Sequence, residues 1–398
     1  MKFIKTYGSV LLKTVFALLL WKIAIIFFAI IAEKLLPFQT EFTPFISEYA
    51  RRFPYLVGIW GNFDGMHYLS IARHGYESLK QAFFPLYPIT IWIGHSLFNI
   101  PYLFSALLVS HFFFLLTIPL LFVLTKKDGQ PNWFFFLAVL LFFPTSFFYG
   151  AVYNDSLFFF LATSSIYFSR NRKWFWGSLL AGLATLCRLN GLALAVYFFL
   201  EYLISTTSIE ESWSFKRLIS EAKKKLRPAE ILSSGIFWAL LIPLAFIGYL
   251  AYIQYQFGDW MTLFNSMRIW KQSTLTFPPV VVWRYFKILT INQPTQLNFW
   301  VAALELLSVV FYCHVLLVSI KKIRLSYWFF ILTAILIPWV TGTFQGMPRY
   351  GLHLYPFFLA CSLLLSTQSK WLKASYFIIS VLILIFILTL FTRGYFVA

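Results

Sequence analysis

Apolar runs of about eighteen or more residues recur along the whole 398-residue chain, separated by short polar breaks that are mostly basic. As a helix, each run is long enough to cross the ~30 Å hydrocarbon core of a bilayer. A transmembrane barrel would instead show short segments of alternating polarity. The pattern therefore predicts an all-α fold, a polytopic membrane bundle of about eleven transmembrane helices. The first run, 10–31, follows Lys2 and Lys5 but lacks a small-residue cleavage site, so it reads as an uncleaved first helix.

Placing lysines and arginines on the cytoplasmic side orients the rest. Residues 33–101 become a large first external loop and juxtamembrane segment, and 254–298 a second external region. Residues 206–230 become a basic cytoplasmic loop that touches anionic lipids. The stretch 82–98 is apolar but interrupted by Pro85 and Pro88. Counting it as a full crossing would move Lys126 and Lys127 outside and invert every later basic loop, so it reads as an interfacial or re-entrant helix. Further crossings are expected at 102–124, 133–149, 153–169, 231–253, 299–320, 327–344, 350–365 and 374–391. A short pair at 174–187 and 189–203 meets outside. There is no internal repeat and no appended soluble domain, so the chain reads as one integral membrane domain.

Composition sharpens this reading. The chain is 60% hydrophobic and only 12% charged, with a mean hydropathy of +0.76, whereas a soluble domain is about one quarter charged. The net charge of +18 is explained by cytoplasmic basic loops, and no nucleic-acid module is visible. Cys187, Cys313 and Cys361 sit in or beside apolar spans without metal-ligand spacing and read as packing residues.

Against this background a few polar side chains are costly and call for a reason. With the orientation above they converge on the outer face: Asp64 and His67 in the first loop, Asp155 at the outer end of one crossing, Arg188 and Asn190 at the top of the short pair, and Arg268, Lys271 and Arg349 in later outer segments. Asp64 lies in Gly61-Asn62-Phe63-Asp64-Gly65, where the glycines permit a sharp bend and close approach of a ligand. A carboxylate there can take a proton from a bound hydroxyl, or it can simply be a turn residue. His67 can bind an acceptor, tune Asp64, or serve only to orient the loop. Asp155 reads equally as a second active-site acid or as a helix N-cap. Arg188 and Arg349 are candidates for gripping a phosphate; the plainer alternatives are neutralising Asp155 and snorkelling to the interface. His95, His111, His314 and His353 show no ligand spacing and receive no role.

The run from Asp64-Gly65-Met66-His67-Tyr68 through Arg73-His74-Gly75-Tyr76, followed by Phe83-Phe84-Pro85-Leu86-Tyr87-Pro88, resembles the PIG-V-like mannosyltransferases. The resemblance continues at Tyr153-Asn154-Asp155-Ser156-Leu157-Phe158, Cys187-Arg188-Leu189-Asn190-Gly191 and Pro348-Arg349-Tyr350. It implies a GT-C-type membrane glycosyltransferase moving a hexose, mannose in the family, from a polyprenyl-phosphate donor to an acceptor hydroxyl with inversion. It also implies Asp64 as general base; His67, Asp155, Arg188, Asn190, Arg349 and Tyr87 are the candidate substrate-binding residues beside it. A phosphate leaving group needs no proton, so one base suffices where a glycosidase needs two carboxyl groups. No particular cofactor is implied; Asp64 and Asp155 could share a divalent ion, although their spacing does not demand one. The expected partners are the lipid-linked sugar, a glycan or lipid-linked acceptor and the bilayer. The expected location is a bacterial plasma membrane, with the site facing outward. The alternative is a transporter or flippase of lipid-linked sugars, which would be expected to show internal repeats and midplane polar residues.

Overall fold

The computed structural model describes residues 2–39, 54–77, 79–130, 132–206, 213, 220, 235–270, 272 and 275–397. Among them every regular element is helical. The helices are α1 Lys2–Leu35, α2 Asp64–His74, α3 Leu86–Phe98, α4 Tyr102–Lys127, α5 Trp133–Leu141, α6 Asp155–Arg170, α7 Trp174–Cys187 and α8 Ala193–Thr206, then α9 Leu241–Phe257, α10 Thr262–Ile269, α11 Pro278–Ile291, α12 Leu297–Ser319, α13 Leu325–Val340, α14 Tyr355–Ser366 and α15 Lys370–Thr392. Short single turns and 3-10 segments link them.

Six helical stretches among the described residues are long and apolar enough to cross a membrane: Gly8–Leu35, Tyr102–Lys127, Leu189–Thr206, Gly235–Phe257, Leu297–Ser319 and Lys370–Thr392. Helices α7, α13 and α14 are apolar but shorter. Helix length among the described residues therefore confirms six of the eleven expected crossings at most. The clearest departure is at 133–149, expected as one crossing. There α5 stops after nine residues, a bend follows through Pro144, and a 3-10 turn runs from Ser146 to Gly150. Proline lacks the N–H that would continue the ladder and pushes the residue before it out of the α region. Every residue of that 3-10 turn is buried, so the break sits inside the protein, where irregular backbone at membrane depth is tolerated. The second external region is likewise not a plain loop, because α10 and α11 occupy much of it. Helix α3 has thirteen residues, about 20 Å at 1.5 Å per residue. The 206–230 basic loop falls almost wholly outside the described residues, and Lys271 lies outside them too.

The core is aromatic. Tyr87, Tyr149, Tyr153, Tyr197, Tyr312 and Tyr355 are among the largest fully enclosed side chains. Rings meet edge-on or offset along the bundle, as Phe148 does against Tyr153 and Phe391. Such pairs add about 0.5–1.5 kcal/mol beyond their burial. The buried tyrosine hydroxyls do not waste their polarity. Tyr153 donates to Asn62 O (3.0 Å), Tyr149 to Leu352 O (2.7 Å) and Tyr312 to Met347 O (2.9 Å). These bonds tie the irregular segments at one end of the bundle to one another, and those segments carry the site.

Candidate active site

Asp64 opens α2 instead of lying in a loop, which puts its carboxylate in the first turn, where the helix dipole favours negative charge. The sharp bend before it is made by Phe63, not by the glycines. Phe63 sits at φ 57, a conformation a non-glycine side chain adopts at a cost of about 1–3 kcal/mol. Its ring is held against Phe391 and Phe396, with centroids 5.8 and 5.7 Å away. Gly65 serves a close approach, but to the chain itself. A Cβ there would stand 3.1 Å from Val152 O and 3.3 Å from Val152 Cβ. Val152 is fully buried and its N–H is pinned to Trp60 O at 2.9 Å, so it cannot give way. Gly65→Ala is therefore expected to cost about 1–3 kcal/mol by overpacking, read as a lowered unfolding midpoint in detergent. An unchanged midpoint would show that the contact relaxes freely.

Across the cavity, the single turn Met347–Tyr350 presents Arg349. This turn is over-determined. Thr145 Oγ1 donates to Pro348 O (2.9 Å), Tyr312 bonds Met347 O and accepts from Gly351 N, and Gly346 N donates to Glu305 Oε1 at 3.2 Å. So held, Arg349 Nη2 donates to Asp64 Oδ2 at 3.0 Å, while its Nη1 stands 3.9 Å from Asp155 Oδ2. The guanidinium rests over the Tyr153 and Phe148 rings. It therefore fills the space between the two carboxylates, the position considered above for a divalent ion.

Asp155 is the first residue of α6 and is fully enclosed, and no side chain caps that helix terminus. The N-cap reading therefore fails. The carboxylate instead accepts a 2.7 Å bond from His353 Nε2 and lies 3.8 Å from Arg188 Nη1. Arg188, extended at the end of α7, also lies 3.2 Å from His353 Nε2 and stacks on Tyr350 at 4.7 Å. The result is a chain of groups, Asp64–Arg349–Asp155–His353–Arg188, in which two carboxylates balance two guanidinium ions. Several of its buried atoms have no hydrogen-bond partner among the described residues: Asp155 Oδ2, Arg349 Nε and His353 Nδ1.

Asp64, Arg188 and Arg349 line one cavity of about 120 Å³ together with Tyr68, Phe83 and Trp270. Two residues expected to bind substrate are committed elsewhere. Tyr87 is wholly enclosed behind Tyr68, and its hydroxyl is bonded to Ser110 Oγ (2.8 Å) and near Ala106 O. Asn190 lies at the cavity wall, but its amide donates to Ala334 O at 2.9 Å, pinning the 3-10 turn after Arg188 onto α13. His67 stacks on Phe83, centroids 4.6 Å apart, and meets the edge of Trp270, so it holds the aromatic wall and has no polar bond to Asp64.

The model of the family described as mannosyltransferase (PIG-V) matches residues 6–304, about three quarters of the chain. The chain belongs to this family. No curated protein matches it, and no solved structure does. As a member of the PIG-V mannosyltransferase family it is a glycosyltransferase of the membrane, consistent with its long apolar helices. The matched stretch includes Asp64, Asp155 and Arg188, whereas Arg349, His353 and Glu305 lie beyond it. The last two were missed in the sequence. His353 has no ligand spacing to mark it, and its link to Asp155 spans 198 positions. Glu305 offered one signal, a carboxylate in the middle of an apolar run.

Burial holds the His67 imidazole below its ordinary range, against the upward pull of the Asp64 carboxylate. The unfolded chain therefore binds this proton more readily than the folded protein. The contribution to stability is whole above about pH 6.5 and is lost as pH falls below it. A His67→Phe protein, keeping the stack on Phe83, is expected to lose less stability than the unaltered protein between about pH 7 and pH 5. Parallel melting curves would refute this.

Proposed function

We propose that this protein transfers a hexose, mannose by family, from a polyprenyl-phosphate donor to an acceptor hydroxyl at the outer face of the membrane, with inversion. The observation that carries the proposal is the Asp64 carboxylate on the cavity wall, held through one oxygen by a buried arginine and about a fifth exposed. In the proposed step the acceptor O–H gives its proton to Asp64 as its oxygen attacks the anomeric carbon. The bond from that carbon to the phosphate oxygen breaks on the opposite side, and the electron pair leaves with the lipid phosphate. The departing phosphate needs charge, not a proton.

Arg188 is the better partner for that phosphate. Its side chain is more exposed than that of Arg349, 16% against 8%, and it lines the cavity. Arg349 is already bonded to Asp64, so in this reading it positions the base and does not hold the donor. Fixing one carboxylate oxygen orients the other, and such preorganisation is what makes a general base effective. His353 and Asp155 hold Arg188 in turn. Tyr68, Phe83 and Trp270 supply apolar and aromatic faces for a sugar ring.

The test is transfer of radiolabel from polyprenyl-phosphate-mannose to membrane acceptors by the purified protein in nanodiscs, with the anomeric configuration of the product read by NMR. Labelled product of inverted configuration is expected. Retention of configuration, or movement of the intact donor across the bilayer without transfer, would overturn the reading. Labelling of a Ser70→Cys variant from outside intact cells tests the sidedness.

A further inference from the structure

The opposite end of the bundle holds a second charged cavity, of about 530 Å³, that the transfer reaction does not use. Helix α6 runs from Asp155 at the candidate active site to Arg170 at this end, about 24 Å away at 1.5 Å per residue. Among the described residues, the wall carries Lys127, Arg170, Lys321, Lys322 and Arg324 against one carboxylate, Asp128. Beneath it lies a buried ion network. Arg170 Nη2 bonds Asp128 Oδ1 at 2.7 Å, Arg324 Nη2 bonds Glu201 Oε1 at 3.0 Å, and Tyr327 and Tyr355 both donate to Asp128 Oδ2. Among the described residues, counting both Asp128 and Glu201 against the five cations leaves three positive charges.

A scatter of basic residues at helix ends would be explained by membrane orientation alone. Three observations go beyond that. The cations line one concave site instead of ringing the surface. Arg170, whose side chain is nine-tenths buried, keeps its Nε without a hydrogen-bond partner among the described residues. Lys321 is held at φ 64 in the turn after α12, where glycine is the inexpensive residue, and among the described residues neither the Lys321 nor the Lys322 ammonium has a partner. Both are exposed. Apolar side chains, Ile204, Ile323, Leu325 and Leu359, flank the charges, giving the mixed wall that a headgroup and the first part of an acyl chain require.

We infer that this cavity binds the phosphate of an anionic phospholipid headgroup. Arg170 and Arg324 form its charged floor, held in place by Asp128 and Glu201, and Lys321, Lys322 and Lys127 close over the phosphate as point charges. Such a lipid would tie α4, α6, α12 and α13 together at the end away from the chemistry.

The experiment is lipid retention measured by native mass spectrometry on the full chain in a neutral detergent, with phosphatidylglycerol and phosphatidylcholine added in turn. Phosphatidylglycerol is expected to bind about tenfold or more tightly, and the Lys321→Gln/Lys322→Gln protein to lose about that factor. Lys127→Gln should weaken binding less, because that ammonium is shared with Arg170 O and Asn171 Oδ1. Circular dichroism checks that the exposed changes leave the fold intact. Equal binding of both lipids, or undiminished binding by the double variant, overturns the inference. Displacement of the lipid by equimolar glycerol 3-phosphate or inorganic phosphate also overturns it, by assigning the site to a soluble anion. Asp64→Asn should bind phosphatidylglycerol normally, so failure of the transfer mechanism and failure of this site are separable.

Discussion

Asp64→Asn is expected to lower turnover by about 10²–10⁴-fold, the range a positioned general base supplies, while donor binding changes little. The amide keeps the size of the side chain, and its oxygen can still accept from Arg349 Nη2, now 3.0 Å from Oδ2, so the cavity should keep its shape. What is lost is the capacity to take the acceptor proton. A fall in kcat with little movement in the donor KM is therefore the predicted signature. A rise in KM at constant kcat would instead make Asp64 a binding residue. Activity equal to that of the unaltered protein would remove it from the mechanism. Arg349→Lys provides the companion measurement: a point charge cannot reproduce a planar group that holds Asp64 with one nitrogen and faces Asp155 with the other while resting on two aromatic rings, so it too should act on kcat.

The second large effect is on folding. Asp155→Ala removes the fully enclosed carboxylate that faces Arg188, Arg349 and His353. Two guanidinium groups, 16% and 8% exposed, would lose a counter-charge they cannot replace from water. Breaking a buried ion pair from one side costs about 3–5 kcal/mol, which should be visible as a strongly lowered unfolding midpoint in detergent. Pairing the change with Arg188→Met should recover part of the loss, because the orphaned charge goes with it, and a double-mutant cycle would report coupling above about 0.5 kcal/mol. A loss under about 1 kcal/mol would mean that water reaches the cluster freely.

The parts of this molecule set by local pattern were legible in the chain. Long apolar runs gave α4, α12 and α15 to within about four residues at each end, and the body of α1, which extends eight residues further toward the N-terminus, because a helix is the way a single segment satisfies its own backbone in lipid. The short pair closing on Arg188 was visible for the same reason, since α7 ends at Cys187 as its apolar run does. Broken elements were not legible. The 133–149 stretch is apolar apart from Pro144-Thr145-Ser146, a break too short for a hydropathy average to mark. Whether its backbone can turn there depends on partners far along the chain, such as Pro348 O for Thr145. The bend at Asp64 was likewise assigned to the glycines because local preference favours them. The fold instead forces Phe63 into the left-handed region by packing its ring against residues more than three hundred positions away.

The same division runs through the site. Sequence alone determined that this is a helical membrane protein, that its costly polar residues are few, and that Asp64, Asp155, Arg188 and Arg349 are among them, since an unpaired charge in so apolar a chain is rarely accidental. Only the tertiary structure decided who pairs with whom. It set Arg349 between the two carboxylates, brought in His353, and turned Tyr87 and Asn190 to structural bonds. It also built a second basic cavity from the far ends of α4, α6 and α12. Composition sets the cost of a buried charge, but its partner is chosen by distance in space, and in a folded bundle residues hundreds of positions apart can stand 3 Å from one another.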